Sequence, residues 1–163
     1  MPVQIRPATT ADHPAIVALN LESEHLLSPM DGPRLARLER EAAYLRVAEE
    51  GGEVLGFLLA LREGADYDSP NYLWFAQRYL RFLYIDRVVV ALHAQGRRVG
   101  AAMYDDLFAF ARAQAVSPVT CEFYSEPLNE PSQRFHARYG FHEVGSQWVA
   151  DGAKRVSLQV ATP

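Results

Sequence analysis

Cysteine is nearly absent: Cys121 is the only one in 163 residues. That excludes an intrachain disulfide and a thiolate zinc cluster, and it suits a reducing compartment. Long apolar runs are missing as well. The stretches Val88–Leu92 and Gly56–Leu61 are far too short to span a bilayer. There is no excess of positive charge, since 16 Lys and Arg against 20 Asp and Glu leave a net charge of −4. A broad nucleic-acid-binding surface is therefore not expected, whereas a local basic patch for a small anion stays compatible. No apolar core follows Arg6, so Met1–Pro7 does not read as a secretory signal. No repeat, low-complexity tract or Gly/Ser/Pro-rich linker divides the chain. What is present is ordinary globular composition, 49% hydrophobic and 22% charged. The expectation is one cytoplasmic domain over residues 1–163.

Periodicity places the elements. Val3–Arg6 alternates as a short strand closed by Pro7, and Thr10 is the expected cap of a helix over 11–21. Asp31 caps a second helix over 32–44 with Pro33 in its first turn. Residues 45–49 and 54–61 flank Glu50-Gly51-Gly52-Glu53, a hairpin signal. Leu83–Leu92 reads as a buried strand, because Val88-Val89-Val90 offers no polar alternation. A turn and a helix to about Ala115 follow, with Val99, Met103, Leu107 and Phe110 on one face. Pro118–Tyr124 reads as a strand and Asn129–Tyr139 as a helix stopped by Gly140. Residues 141–150 and 155–160 form strands expected to meet across a two-residue Asp151-Gly152 turn. This order specifies an α/β domain with a mixed sheet. Residues 65–82 take no clear assignment. They hold Tyr67, Tyr72, Trp74, Phe75, Tyr79 and Phe82, a density that demands a packing partner. The segment is an aromatic insertion that covers the sheet, covers a homodimer partner, or closes over a substrate cleft.

The informative chemistry lies where the buried strand enters Gln95-Gly96-Arg97-Arg98-Val99-Gly100-Ala101. Helix N-terminal N–H groups carry partial positive charge, glycines admit a phosphate to the backbone, and two arginines add cations. A phosphate or pyrophosphate site is the functional reading; a plain strand–helix turn with solvated arginines is the other. The Walker lysine–Ser/Thr pair and the third glycine of a dinucleotide fingerprint are missing, which disfavours a nucleotide hydrolase or a nicotinamide enzyme.

Ile85–Val90, the 95–101 turn and Asn129–Phe141 together resemble the coenzyme A-binding core of the GCN5-related N-acetyltransferase (GNAT) superfamily. Gln95 and Gly100 fill the ends of that family's R/Q-x-x-G-x-G/A turn, Gly96 matches a frequent second-position glycine, and Arg98 stands where the middle glycine belongs. Asn129, Ser132, Phe135, His136, Gly140 and Phe141 fall at the spacings of N-x-x-A-x-x-L-Y-x-x-x-G-F, with His136 in the tyrosine's place. The resemblance implies a mixed, centrally splayed sheet flanked by helices, with acetyl-CoA as co-substrate and no metal. It implies that Val88, Val89 and Val90 offer backbone groups to the acyl-pantetheine arm and that Gln95 to Ala101 cradle the pyrophosphate. Asn129 would bond the arm, with Ser132 and Phe135 along its path.

For the reaction, the resemblance puts His136 where a general acid protonates the departing thiolate, with Tyr139 as the alternate. Asp86 is the expected general base, either exposed at the mouth of the site or salt-bridged to Arg87 or Arg81, because a strand carboxylate is costly to bury alone. Glu22, Glu24 and His25, after the first helix, are alternatives at the acceptor, and Tyr72 and Trp74 are expected to line it. Cys121 as an acyl-carrying nucleophile is the weakest option, since lone mid-strand cysteines are usually inert. Two functions are compatible with these residues. One is an N-acetyltransferase acting on a small amine or an amino terminus in a ternary complex. The other is a non-catalytic acyl-CoA-binding module, kept open by the His136 replacement.

Overall fold

The computed structural model describes residues 2–163. Seven strands form a mixed sheet in the order β1-β2-β3-β4-β5-β7-β6. They are β1 (Gln4–Pro7), β2 (Tyr44–Glu50), β3 (Glu53–Arg62), β4 (Leu83–Val90), β5 (Val119–Glu126), β6 (His142–Val149) and β7 (Lys154–Ala161). Five α-helices accompany them: α1 (His13–Glu22), α2 (Gly32–Glu41), α3 (Pro70–Ala76), α4 (Val99–Ala113) and α5 (Glu130–Arg138). The residues group into two compact units, one up to Leu61 with Ile85–Phe110, the other Arg62–Tyr84 with Ala111–Pro163.

In the first unit, β1, β2 and β3 run antiparallel, with Ile5 opposite Ala48 and Val47 opposite Phe57. The hairpin closes at Glu50↔Glu53 through Gly51 and Gly52, both at positive φ, the conformation a tight two-residue turn requires. Asp31 caps α2 by accepting from Arg34 N–H at 2.9 Å. Leu35 and Leu38 turn inward on α2, and Val99, Met103 and Leu107 do so on α4. The expected cap at Thr10 is displaced by one residue. Thr9 and Asp12 form a capping box on a 3-10 turn over Thr10–Asp12, and α1 starts only at His13. The cause lies in Arg6, whose guanidinium holds Asp12 at 2.8 and 2.9 Å and keeps its carboxyl near pKa 2.

In the second unit, β4 and β5 pair in parallel at Leu83↔Val119 and Tyr84↔Thr120. β7 runs antiparallel to both β5 and β6. The unassigned 65–82 segment contains the seven-residue α3, too short to show a helical period in sequence. Its Tyr72 and Phe75 are fully buried and pack edge-on and tilted against Phe82 and Tyr84. These rings therefore cover the sheet. The Asp151-Gly152 turn is also longer than expected. Val149↔Lys154 is the last pair, and Ala150, Asp151 and Gly152 all take positive φ in a four-residue connection.

Candidate functional site

The glycine-containing turn joins β4 to α4 in the first unit. Gln95 donates from its side-chain amide to Val90 O at 3.3 Å, tying the turn to the strand end. Gly96 has φ +82° and Arg98 φ +63°. Arg98 thus holds the left-handed conformation that favours the glycine expected at its place, at a cost of about 1 kcal/mol. Ala102 N–H closes the first turn of α4 onto Arg98 O at 3.0 Å, so Val99, Gly100 and Ala101 form the N-terminal turn, where the helix dipole favours an anion. Arg97 is engaged by Glu50, which receives its Nη2 at 2.6 and 2.8 Å. Replacing Arg98 with Gly should raise stability by about 1 kcal/mol in urea unfolding, by removing the strained φ. An unchanged or lower midpoint would show that the Arg98 side chain contributes more than the strain costs.

β4 carries Val88, Val89 and Val90 to this turn, and just past them Ala91 N–H donates to Leu55 O at 2.7 Å. Gly56 on β3 makes the close approach possible. A Cβ there would stand 2.5 Å from Val89 O and 3.1 Å from Met103 Cε. Sequence reading missed Gly56, because a single glycine inside an apolar strand reads as part of the run; its signal is that it interrupts that run.

Asp86 forms the expected pair with Arg87, 2.7 Å from Nε, with both side chains almost wholly buried. Arg87 also donates to Asn20 Oδ1 at 3.0 Å and Ser28 O at 3.1 Å, and Asn20 itself donates to Ser28 O. This network fastens β4 to the connection between α1 and α2. Glu22 accepts Leu92 N–H at 2.7 Å, capping a 3-10 turn over Leu92–Ala94. Glu24 and His25 lie on a further 3-10 turn, with His25 exposed.

In the second unit Asn129 caps α5, its Oδ1 accepting Ser132 N–H at 3.2 Å, with Pro131 in the first turn. Gly140 follows the helix at φ +82°, the left-handed stop that glycine allows. His136 is buried among Phe123, Phe135 and Phe141. Its Nδ1 lies 2.7 Å from Ser132 O. A carbonyl only accepts, so Nδ1 bears a proton, and Nε2 is the nitrogen left to exchange one. Burial pushes its pKa below the usual histidine value, and the Ser132 carbonyl offsets this in part. Phe135 stacks tilted on Tyr139.

Tyr72 donates its hydroxyl to Arg62 O at 2.7 Å and accepts Ala65 N–H, a brace for the chain entering α3. Trp74 is half-buried, with Arg78 over its ring and Gly145 of β6 beneath; any side chain at Gly145 would strike the indole. Asn71 donates to Glu122 Oε1 at 3.1 Å and accepts Gln147 Nε2 at 2.9 Å, and Tyr84 donates to the same Glu122 oxygen at 2.9 Å. Cys121 is buried and its thiol pKa is raised by that burial, which keeps it protonated and a poor nucleophile. Among the described residues no cluster of three or more His, Cys, Asp or Glu side chains is arranged to hold a metal. Among the described residues no helix is long and apolar enough to cross a membrane.

A sequence model described as the Acetyltransferase (GNAT) family matches residues 13–141. The fold is similar to that of Ard1 from Thermoplasma volcanium, at TM-score 0.78 and 18% identity over 100% of both chains. It is similar to Arabidopsis thaliana Naa50 in complex with the bisubstrate analogue CoA-Ac-MVNAL, at TM-score 0.76 and 11% identity over 100% of both chains. The ribosomal-protein-S18-alanine N-acetyltransferase from Escherichia coli matches at TM-score 0.72 and 15% identity, over 98% of this chain and 92% of that one. No curated protein matches the sequence.

Proposed function

Because the chain belongs to the acetyltransferase (GNAT) family, we propose that it is a single acetyltransferase domain that moves the acetyl group of acetyl-CoA onto a primary amine. The observation that carries this reading is the 95–101 turn, where Arg98 keeps a glycine-like φ directly before the first turn of α4. That geometry suits a pyrophosphate held by main-chain N–H groups. Val88 to Val90 offer backbone to the pantetheine arm as an added strand would, and strand-end N–H groups stabilise the oxyanion. In the second unit, Asn129 keeps its Nδ2 amide for the arm while Oδ1 caps the helix. Ser132 and Phe135 border its path.

The amine attacks the thioester carbon directly, and the departing thiolate takes a proton from the His136 imidazolium, with Tyr139 as the alternate donor. The pair with Arg87 holds the Asp86 carboxylate fixed. Its role in this reading is to hold β4 and the connection that carries Glu24 and His25 beside the acceptor. The acceptor is a small amine or a peptide amino terminus; the similar folds of a protein bound to the bisubstrate analogue CoA-Ac-MVNAL and of a ribosomal-protein-S18-alanine N-acetyltransferase support the second. In this reading Trp74, on α3, borders the acceptor. Trp74→Ala should raise the acceptor KM several-fold and leave the acetyl-CoA KM unchanged. Equal changes in both would assign Trp74 to packing alone.

The burial that disfavours a charged His136 favours one other reading, an acyl-CoA-binding module without turnover. Thiol release from acetyl-CoA, followed with a panel of primary amines and short peptides, separates the two. Release that depends on an amine supports the enzyme; CoA binding without release supports the module.

A further inference from the structure

The tip of the β2–β3 hairpin carries an acid on each side of its two glycines, Glu50 and Glu53, and both reach the connection from β4 to α4. Glu53 Oε1 lies 3.3 Å from His93 Nε2. Glu50 receives Arg97 Nη2 on both its oxygens, at 2.6 and 2.8 Å. That hydrogen bond holds the Glu50 carboxyl below the usual carboxylate range, so the acid stays ionised and offsets the Arg97 charge. Arg97 is therefore engaged within the fold. It straps the turn to the hairpin, and the carboxylate beside it weakens its pull on any further anion. Arg98 differs in both respects. Its side chain is exposed and, among the described residues, has no ion-pair or hydrogen-bond partner. Between Ala91 and Ala101 the basic residues are His93, Arg97 and Arg98, and the first two each meet a glutamate. Arg98 also sits at φ +63°, where glycine would be free of strain. Position 98 thus trades backbone ease for an uncompensated guanidinium directly before the first turn of α4. All of these residues lie in the first unit.

Acetyl-CoA presents phosphate in two forms, a pyrophosphate bridge and a monoester on the ribose. The monoester concentrates about two negative charges on one phosphorus near neutral pH. Main-chain N–H groups of the turn take the pyrophosphate in the proposed reading, which leaves the monoester for a side chain. A free guanidinium suits it, because the planar fork meets phosphate oxygens with two parallel N–H donors. We propose that Arg98 binds the ribose 3′-phosphate of acetyl-CoA and makes this turn select CoA over dephospho-CoA, the same molecule without that phosphate. This deepens the acetyl-CoA reading of the turn and rests on it. Arg97 is a positioning residue in this scheme, since it acts by fastening the turn to Glu50 of the hairpin. The two adjacent arginines therefore have separate tasks, one inside the fold and one toward the cofactor.

The test titrates CoA and dephospho-CoA by calorimetry into wild type, Arg98→Gly, Arg98→Lys and Arg97→Gln, with thermal unfolding to verify that each variant folds. Wild type should bind CoA about tenfold more tightly than dephospho-CoA, the scale of one charge-assisted contact. Arg98→Gly relieves the strained φ, so it should fold, bind dephospho-CoA as wild type does and lose the preference for CoA. Arg98→Lys keeps the charge without the fork and should keep part of the preference. Arg97→Gln cuts the strap and should weaken both nucleotides alike, with their ratio near the wild-type value. Added salt should shrink the wild-type preference, because the guanidinium is exposed. Equal affinity of wild type for the two nucleotides, or a preference that survives in Arg98→Gly, would overturn the assignment and leave the acetyl-CoA reading intact. A preference lost in Arg97→Gln but kept in Arg98→Gly would also overturn it, by giving the phosphate to Arg97. If wild type binds neither nucleotide, the acetyl-CoA reading falls and this assignment falls with it.

Discussion

A Gly100→Asp variant is expected to fold and to lose CoA affinity by at least about 100-fold in calorimetry. Gly100 is the second residue of α4, in the turn where the pyrophosphate is placed. An aspartate there would put a carboxylate beside the phosphates. Like charges about 4 Å apart repel by about 4 kcal/mol near a protein surface, and each 1.4 kcal/mol is about tenfold in affinity. The helix itself should tolerate the change, because an acidic residue in a first turn is favourable to the dipole. Loss of CoA binding with an unchanged thermal midpoint is therefore the predicted pair of results. The wild-type affinity should also weaken with salt, as a phosphate held by charge and dipole requires. Undiminished affinity in the folded variant would move the cofactor away from the 95–101 turn.

His136→Ala should lower kcat by about 100-fold and leave CoA affinity unchanged. The pH dependence has a definite sign. An acid must carry its proton to act, and burial holds His136 below its ordinary pKa near 6.5. Wild-type kcat should therefore fall as pH rises through that lowered value. His136→Tyr returns the family's usual group, whose ordinary pKa near 10 should restore part of the activity and carry the falling limb several pH units higher. The same burial affects stability in the opposite direction of pH. The unfolded chain binds the His136 proton more readily than the folded one, so this residue's contribution is present above about pH 6.5 and is lost as pH falls below it. Turnover in His136→Ala equal to wild type even at the acidic end of the pH profile, where the imidazolium is populated, would transfer the role to Tyr139.

Local signals were legible wherever one residue does a local job. Gly51 and Gly52 mark the hairpin, Asp31 and Asn129 cap their helices, and Gly140 ends α5, each through a bond or dihedral within a few residues. The cap at α1 was misplaced because its decisive partner, Arg6, comes from a strand. The hairpin at 151–152 was too short by two residues, because Ala150 and Asp151 adopt positive φ without being glycine. Residues 65–82 were opaque because two helical turns plus buried rings have no readable period. The 95–101 turn and α5 could be found from spacing and from the family resemblance. The hydrogen-bonded setting of Glu122 could not. A lone glutamate in an alternating strand looks solvated, and only the arrival of Tyr84 and Asn71 from other elements sets it apart.

The central claim is that an amine takes the acetyl group directly from acetyl-CoA. The most direct test follows thiol release and acetylated amine together by mass spectrometry in a single turnover, with Gly100→Asp as the control. The account predicts one acetylated amine for each thiol released, no release without amine, and no acetyl group on the protein at any time. Thiol release that precedes the amine and leaves an acetylated protein would contradict it.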